Sequence, residues 1–478
     1  MNADSGSGVS GGSPKSTLVI GGGVSGLAVA SRLQRFGQDW HLIEAAPRLG
    51  GGIATTSRDG FLIDHGADMF AVTPPAAIQW CRDLGIDSNL IHPRTDRRGA
   101  MVWSRGRMHP IPRGFVLMRA TAMGPMWRTG LLSPMAKLRF ALERFVRPLS
   151  GGGDEPAEES VGQFVRRRMG RGALDGLIAP LVGGIYTADI ERLSMSAAMR
   201  PILAMERQYG SLSAAARGRR RQGLDGVESG SAGARYGNFR SFPDGMFGLI
   251  RRVVATLPPE RLQVDAPVVG LRRSNDRWTV EIRGGRQIEA DRIVLTTPAA
   301  ATAKLIGGLD ADLAAELRGI ESASAAVVCV GVHRDQIRRP IDAFGFVVPP
   351  RERSRLIAGS FASYKFDGRA PGDHVLVRCF VGGTLDPDVL ILDDAGLVRL
   401  VISELGMMIG LVGRPVMDHV VRWDAAMPQY NVGHEGRIER IRNGFDRHPN
   451  LHWTNNAAGG VGIAPAIASA NRLVDGWG

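Results

Sequence analysis

Residues Thr17–Glu44 constrain the fold more than any other stretch. Thr17-Leu18-Val19-Ile20 is a short apolar run with β-branched members, which reads as a buried parallel strand. Gly21-Gly22-Gly23-Val24-Ser25-Gly26 follows at once, and Leu27, Ala30 and Leu33 then recur at helical spacing as far as Gly37. A second apolar run, His41-Leu42-Ile43, ends at Glu44. Strand, glycine turn, helix and strand in this order make a βαβ unit.

Gly21-x-Gly23-x-x-Gly26 in that position is a dinucleotide fingerprint. Gly21 permits the tight turn, Gly23 lets the backbone approach a pyrophosphate, and Gly26 lets helix and strand pack closely, with Gly22 a variable position. Val24, Ser25 and Leu27 open the helix whose N-terminal N–H groups and dipole favour the anion. The bare pattern carries little, because 63 glycines in 478 residues yield about one such match by chance. Its context decides. The motif follows a strand, opens a helix, and is followed 18 residues after Gly26 by Glu44, where an acid accepts from ribose hydroxyls.

A second glycine pair in Arg48-Leu49-Gly50-Gly51 points to FAD in place of NAD. Near the C-terminus, Gly459-Gly460-Val461-Gly462-Ile463-Ala464-Pro465 is another glycine turn opening a helix, and Pro465 suits a first turn. That helix N-terminus is placed to stabilise negative charge on a reduced flavin ring. No second strand–GxGxxG–helix unit occurs, which favours an oxidase over an enzyme fed by NAD(P)H. No Ser/His/Asp arrangement stands out, and the ten His are scattered.

Composition bounds the rest. With 44% hydrophobic and 22% charged residues, the chain is globular, not disordered. The three cysteines, Cys81, Cys329 and Cys379, are far apart, which excludes a disulfide framework and metal-ligand spacing and fits a reducing compartment. The first 15 residues read as a flexible Gly/Ser tail without a signal-peptide pattern, and no apolar run is long enough to span a bilayer. The net charge of +12 is almost all arginine, since lysine occurs only at Lys15, Lys137, Lys304 and Lys365. Arg166–Arg168 and Arg217–Arg221 lack interleaved aromatics, so nucleic acid is not expected as a partner. An anionic substrate or lipid surface would match the charge.

Along the chain, helical pattern is expected from about residue 95 to 210, with Phe115–Trp127 and Leu131–Phe145 as amphipathic helices and Ser160 as an N-cap. Gly151–Glu159 and Gly223–Gly237 read as linkers. Strands are expected at Leu262–Val264, Val268–Leu271, Trp278–Ile282 and Ile293–Thr296. A second set follows at Ala325–Val332, Gly345–Val348, Leu356–Phe361 and Val375–Phe380, then a helix at Leu397–Ile409. The expected class is α/β, a Rossmann-type FAD-binding domain on a parallel sheet with an α+β substrate-binding domain and a helical insert. The expected divisions are the tail 1–15, a discontinuous FAD-binding domain of 16–95, 235–300 and 420–478, the helical insert 96–215, and the substrate-binding sheet domain 301–419.

Beyond the fingerprint and Glu44–Gly51, several stretches are not explained by nucleotide binding. They include Gly60–Phe70, Met108-His-Pro-Ile-Pro112, Leu181-Val-Gly-Gly-Ile-Tyr-Thr-Ala-Asp189, Tyr209–Leu212, Arg422–Tyr430 with Val432–His434, and Gly460–Ile463. In these the chain, from about Ser16 to Trp477, resembles the oxygen-dependent protoporphyrinogen oxidase and coproporphyrinogen III oxidase family within the monoamine-oxidase-like flavoproteins. The resemblance implies non-covalent FAD contacted by Gly21–Leu27, by Glu44, Ala45, Arg48, Gly50 and Gly51, and by Gly66, Ala67, Asp68 and Met69. It adds Val268, Trp423, Val461, Gly462 and Ile463. It implies heme-pathway oxidation of a porphyrinogen, with O₂ as acceptor and H₂O₂ as product. Substrate propionates call for cations, and Arg98, Arg105 and Arg113 flank the Met108–Pro112 motif. No catalytic side chain or metal is implied. A cytoplasmic location follows, with a membrane surface and a downstream chelatase open as partners. The chain departs from the family at Gly52, at Ala67-Asp68-Met69 and at Ala464-Pro465-Ala466. An amine oxidase, a carotenoid desaturase and a non-catalytic flavin- or porphyrin-binding protein stay open as alternatives.

Overall fold

The computed structural model describes residues 15–94, 99–116, 118–149, 158–222, 236–274, 276–339 and 342–477. The tail 1–14, most of the Gly151–Glu159 linker, the loop 223–235 and Arg98 lie outside those residues.

The run Thr17–Ile20 is wholly buried and forms the centre of a five-stranded parallel sheet. Trp40–Ile43 and Leu262–Gln263 lie on one side of it, and Arg292–Leu295 and Leu451–Trp453 on the other. Helix Val24–Arg35 puts Leu27, Ala30 and Leu33 against this sheet. The C-terminal helix Ile463–Asp475 packs Ile467, Ala470 and Val474 into the same core. The last residues therefore close the domain that the first ones open. Burying an unbroken apolar strand on both faces is what a parallel sheet requires.

A second, seven-stranded sheet runs in the order Met417–Pro428, Ser322–His333, His374–Gly382, Leu356–Phe361, Gly345–Val347, Ala100–Ser104, Arg107–Pro110. One face packs Val328, Val330, Val377 and Val381 against Leu397, Val401 and Leu405 of helix Asp394–Ile409. Small antiparallel ladders flank both sheets, among them Val268–Ser274, Arg277–Ile282 and Gln287–Ala290, the last a strand the sequence reading passes over.

Among the described residues, 123–221 carry eight short α-helices, around a core that includes Phe164, Leu177, Ile178 and Leu193. Ser160 caps helix Val161–Met169 in a capping box with Gln163. Two expectations fail here. Ala100–Ser104 and Arg107–Pro110 are a hairpin of the second sheet, not helix. Arg105 and Gly106 both take positive φ at its turn, and such a turn matches strand twist. Phe115–Trp127 is not one helix either. A short hairpin, Phe115–Val116 with Arg119–Ala120, precedes a six-residue helix Met123–Arg128. Pro112, Gly114, Gly124 and Pro125 punctuate that stretch too often for a continuous helix. In Leu131–Phe145 the helix starts at Pro134, capped by Ser133, and ends in a 3₁₀ turn.

Candidate functional site

The glycine turn has the geometry of a phosphate cradle. Gly21 has φ +113° and its N–H donates to Ile43 O at 2.8 Å. A Cβ on Gly26 would stand 1.9 Å from Gly21 O, so helix and strand meet in backbone contact there. A Cβ on Gly23 would meet nothing within 4 Å. Helix Val24–Arg35 begins at Gly23 with no side-chain cap and no acid in its first turn, which leaves its N–H donors for an anion. Val24 is half-buried, whereas Ser25 and Leu27 are buried. The second glycine loop faces this one: a Cβ on Gly51 would come within 3.1 Å of Gly23 Cα, and Gly50 N–H donates to Gly22 O at 2.8 Å. These are spaces and donors that a dinucleotide pyrophosphate fits.

Glu44 ends the second strand with its carboxylate turned back on the motif. It accepts from Gly22 N–H at 2.5 Å and from Ala46 N–H at 2.8 Å. Each oxygen keeps a further lone pair for a ribose hydroxyl. Arg48 donates to the carbonyls of Leu49, Ile53 and Gly51 and lies over the Phe247 ring, so it braces the loop. Gly22, variable in the pattern, is packed here: a Cβ would stand 2.4 Å from Leu49 Cδ2 and 3.0 Å from Glu44 Cβ. Ala45 is exposed in the following turn, and Val268 opens its strand opposite Ile282.

A third wall comes from the second sheet. The Trp423 ring lies 3.9 Å from where a Cβ of Gly52 would be and 3.8 Å from that of Gly66, and its Nε1 donates to His65 O at 3.1 Å. Beyond Gly66, Ala67 is exposed and Met69 half-buried, but Asp68 is buried. Its carboxylate pairs with Lys365 Nζ at 2.9 Å and Arg378 Nη1 at 3.0 Å. Burial opposes the Asp68 charge, yet Lys365 and Arg378 override it and hold the carboxyl well below the usual carboxylate range. Arg378 also donates to Gly66 O, fixing the loop to the sheet. Neither Arg378 nor Lys365 belongs to a motif. The one available signal is a lone charge inside an apolar strand, Val375-Leu376-Val377-Arg378-Cys379. Lys304 is exposed on its helix. Gly462, φ +109°, starts the last helix without a side-chain cap, between Val461 and Ile463.

Strand register places Trp423, Ala325, Phe380, Ala358 and Val347 on one face of the sheet. All five are only partly buried, so this face is an apolar surface running away from the glycine loops. Helix Ala179–Tyr186 crosses its far side, where a Cβ on Gly184 would be 3.3 Å from Val347 Cγ1. Arg105 sits at the hairpin tip, where its N–H donates to Glu352, and Arg113 is exposed. Among the described residues no cluster of three or more His, Cys, Asp or Glu could hold a metal. The three cysteines are free and buried.

A Rossmann sheet with this cradle, joined to a sheet-backed apolar face, defines a flavin-dependent oxidoreductase. Residues 24–475 match the family of flavin-containing amine oxidoreductases, and the chain belongs to it. Its cofactor is FAD. The coproporphyrinogen III oxidase of Bacillus subtilis (strain 168) is 30% identical over 96% of this chain and 97% of its own length. That of Mycobacterium leprae is 32% identical over 96% and 98%. Protoporphyrinogen oxidase 2 of Arabidopsis thaliana is 26% identical over 97% and 94%. Among solved structures, a protein of Exiguobacterium sp. 255-15 provisionally named a protoporphyrinogen oxidase superposes with TM-score 0.84 at 28% identity, covering 98% and 99%. A UDP-galactopyranose mutase shares the fold, with TM-score 0.71 at 18% identity over 98% and 96%.

Proposed function

We propose that this chain oxidises a porphyrinogen, with coproporphyrinogen III as the first candidate, to the porphyrin in heme biosynthesis. The carrying observation is end-to-end similarity to enzymes named for that reaction, at 30% and 32% identity. The overall change removes six hydrogens: porphyrinogen and three O₂ give porphyrin and three H₂O₂. Bound FAD supplies a two-electron hydride acceptor. The chain's own residues do the rest. Gly21–Gly26 and Glu44 bind the dinucleotide. Arg378 and Lys365 hold Asp68 and with it the Gly66–Met69 loop. Trp423 and the partly buried sheet face offer an apolar bed for the macrocycle that excludes water. No side-chain nucleophile is required.

The finer readings stay part of this proposal. FAD is held without a covalent link, and residues 96–215 and 301–419 enclose the substrate. The protein is cytoplasmic and touches a membrane through residues 127–149. Trp127, Met135, Leu138, Leu142, Phe145 and Leu149 are exposed there beside exposed Arg128, Arg144 and Arg147, an amphipathic basic surface. Among the described residues no helix is long and apolar enough to cross a bilayer. A chelatase that takes the product would be the downstream partner.

The test is anaerobic mixing with coproporphyrinogen III, protoporphyrinogen IX or a primary amine, followed by O₂. Bleaching by a porphyrinogen, then porphyrin fluorescence and H₂O₂ in a 1:3 ratio without NAD(P)H, is the expected result. Bleaching by the amine alone would make the protein an amine oxidase, and bleaching by none would end the reading.

A further inference from the structure

Between helix Ala179–Tyr186 and the start of strand Leu356–Phe361 lies a cavity of about 420 Å³. Small residues on the helix, Ala179, Gly183 and Gly184, make the room, and Val348, Leu356 and Ile357 face them across it. Leu385, 56% exposed, stands at its edge. The lining is mainly apolar, and its volume lies in the range that small-molecule sites occupy.

Register ties this cavity to the glycine loops. Trp423 pairs with Ala325, Ala325 with Gly382, and Leu356 with Val381 beside Gly382. Trp423 and Leu356 are thus three strands apart at the same end of the sheet, about 14 Å at the usual inter-strand spacing. Trp423 lies against Gly52 and Gly66. Leu356 and Val381 belong to the opposite, helix-packed face, but Gly382 itself lines the cavity, so the face that carries Trp423 and Ala325 reaches the cavity through Gly382.

The loop leading into Leu356 carries three arginines, and two are spoken for. Arg351 donates to Ser104 Oγ at 3.1 Å and pairs with Glu352. Arg355 forms a two-pronged pair with Asp386 at 2.6 and 2.7 Å. Arg353 also lines the cavity, is exposed, and among the described residues its side chain makes no hydrogen bond or ion pair. It follows the 3₁₀ turn Pro350–Glu352 with φ 55°, a left-handed conformation that a non-glycine residue adopts only when its surroundings impose it. The strained backbone presents an uncommitted guanidinium at the mouth of an apolar cavity.

An apolar cavity cannot accept an unpaired carboxylate. A free guanidinium at its mouth selects a ligand with a broad apolar body and a carboxylate at its edge. We infer that this cavity is the outer part of the porphyrinogen site and that Arg353 pairs with a propionate carboxylate of the substrate, a step that rests on the proposed porphyrinogen reading. Arg105 and Arg113 do not line it.

The experiment compares wild type, Arg353→Ala and Arg353→Lys as FAD holoenzymes. It measures steady-state oxidation of coproporphyrinogen III and, separately, coproporphyrin III binding by fluorescence quenching. Arg353→Ala should raise KM about tenfold or more with kcat within about twofold, because a distant carboxylate contact acts alike on ground and transition states. Product affinity should weaken by a similar factor, and Arg353→Lys should recover most of both. Unchanged KM and product affinity in Arg353→Ala, or a loss confined to kcat, overturns the assignment while leaving the proposed function intact. A wild-type holoenzyme that oxidises no porphyrinogen ends the proposed function and this inference with it.

Discussion

Arg378 Nη1 lies 3.0 Å from Asp68 Oδ2, with the two side chains 2% and 9% exposed, and Lys365 Nζ reaches the same oxygen at 2.9 Å. Two cations share one buried carboxylate, so the partners are not equivalent. Asp68→Ala removes the carboxylate that both buried cations contact, leaving Arg378 only the more distant Asp64, and should cost about 3–5 kcal/mol. Arg378→Met leaves Asp68 paired with Lys365 and should cost less. Denaturant unfolding of the holoproteins gives the order, and flavin released on gel filtration reports the loop. Equal small losses in both variants would mean that the network does not hold the Gly66–Met69 loop.

Acid sensitivity should begin with histidine. Burial, then His419 and the nearby Arg48 and Arg378, pushes the His65 pKa down to about 4. His452 is pushed to about 4 by burial, then by Arg292 and Lys15. Both folded values lie below the unfolded one, so as pH falls the unfolded chain takes up the protons first. The stability these histidines contribute is complete above about pH 6.5 and is lost progressively towards pH 4. Asp68, held below the carboxylate range, adds its loss only under more acid conditions. Unfolding free energy should be flat between about pH 7 and 8 and fall between about pH 6.5 and 4. The double variant His65→Gln/His452→Gln should fall less steeply, and an unaltered slope would assign the acid limb to other groups.

In the helical region, Arg168 is fully buried and pairs with Glu143 at 2.5 Å and Glu206 at 2.9 Å. Glu143 also accepts from the N–H groups of Leu212 and Ser213, so one ion cluster joins several helices. Arg168→Ala leaves buried Glu143 without a cation, while Glu206 keeps Arg167, and should destabilise by about 3–5 kcal/mol. Two residues earlier, Arg166 pairs with Glu191 at the surface, and Arg166→Ala should cost under about 1 kcal/mol. Thermal and urea unfolding distinguish the two, and similar losses would contradict the burial argument.

The strand–turn–helix at Thr17–Gly37 was legible because each of its determinants is local: an apolar run, a glycine spacing and a helical repeat. The hairpin Ala100–Pro110 was not. Its turn is marked only by Arg105-Gly106, and its outer strand is four residues long and ends in a proline. The identity of Asp68 as the anchor of a buried network was equally hidden, because its partners Lys365 and Arg378 come from about 300 residues away. Arg353 looks like its neighbours Arg351 and Arg355 in sequence. Only the partners Ser104, Glu352 and Asp386 separate the engaged arginines from the free one.

Gly22 and Gly23 separate packing from cofactor binding. In sequence Gly22 is the interchangeable one, but in the structure it is buried, and an alanine Cβ would press on Leu49 Cδ2 and Glu44 Cβ. Leu49 can swing aside; Glu44 Cβ, next to the backbone, yields less. Gly22→Ala should therefore lower the stability of the apoprotein, and FAD affinity should fall with the displaced Glu44. Gly23 has φ −72°, which any residue adopts, and open space around it. Gly23→Ala should leave the apoprotein as stable as wild type and yet lose about 1–3 kcal/mol of FAD affinity, because the added methyl occupies the approach to the helix N-terminus. Differential scanning fluorimetry of the stripped proteins, followed by FAD titration, reads both effects. A Gly23→Ala protein that binds FAD like wild type would show that the pyrophosphate does not lie over this turn, whatever the activity of the enzyme.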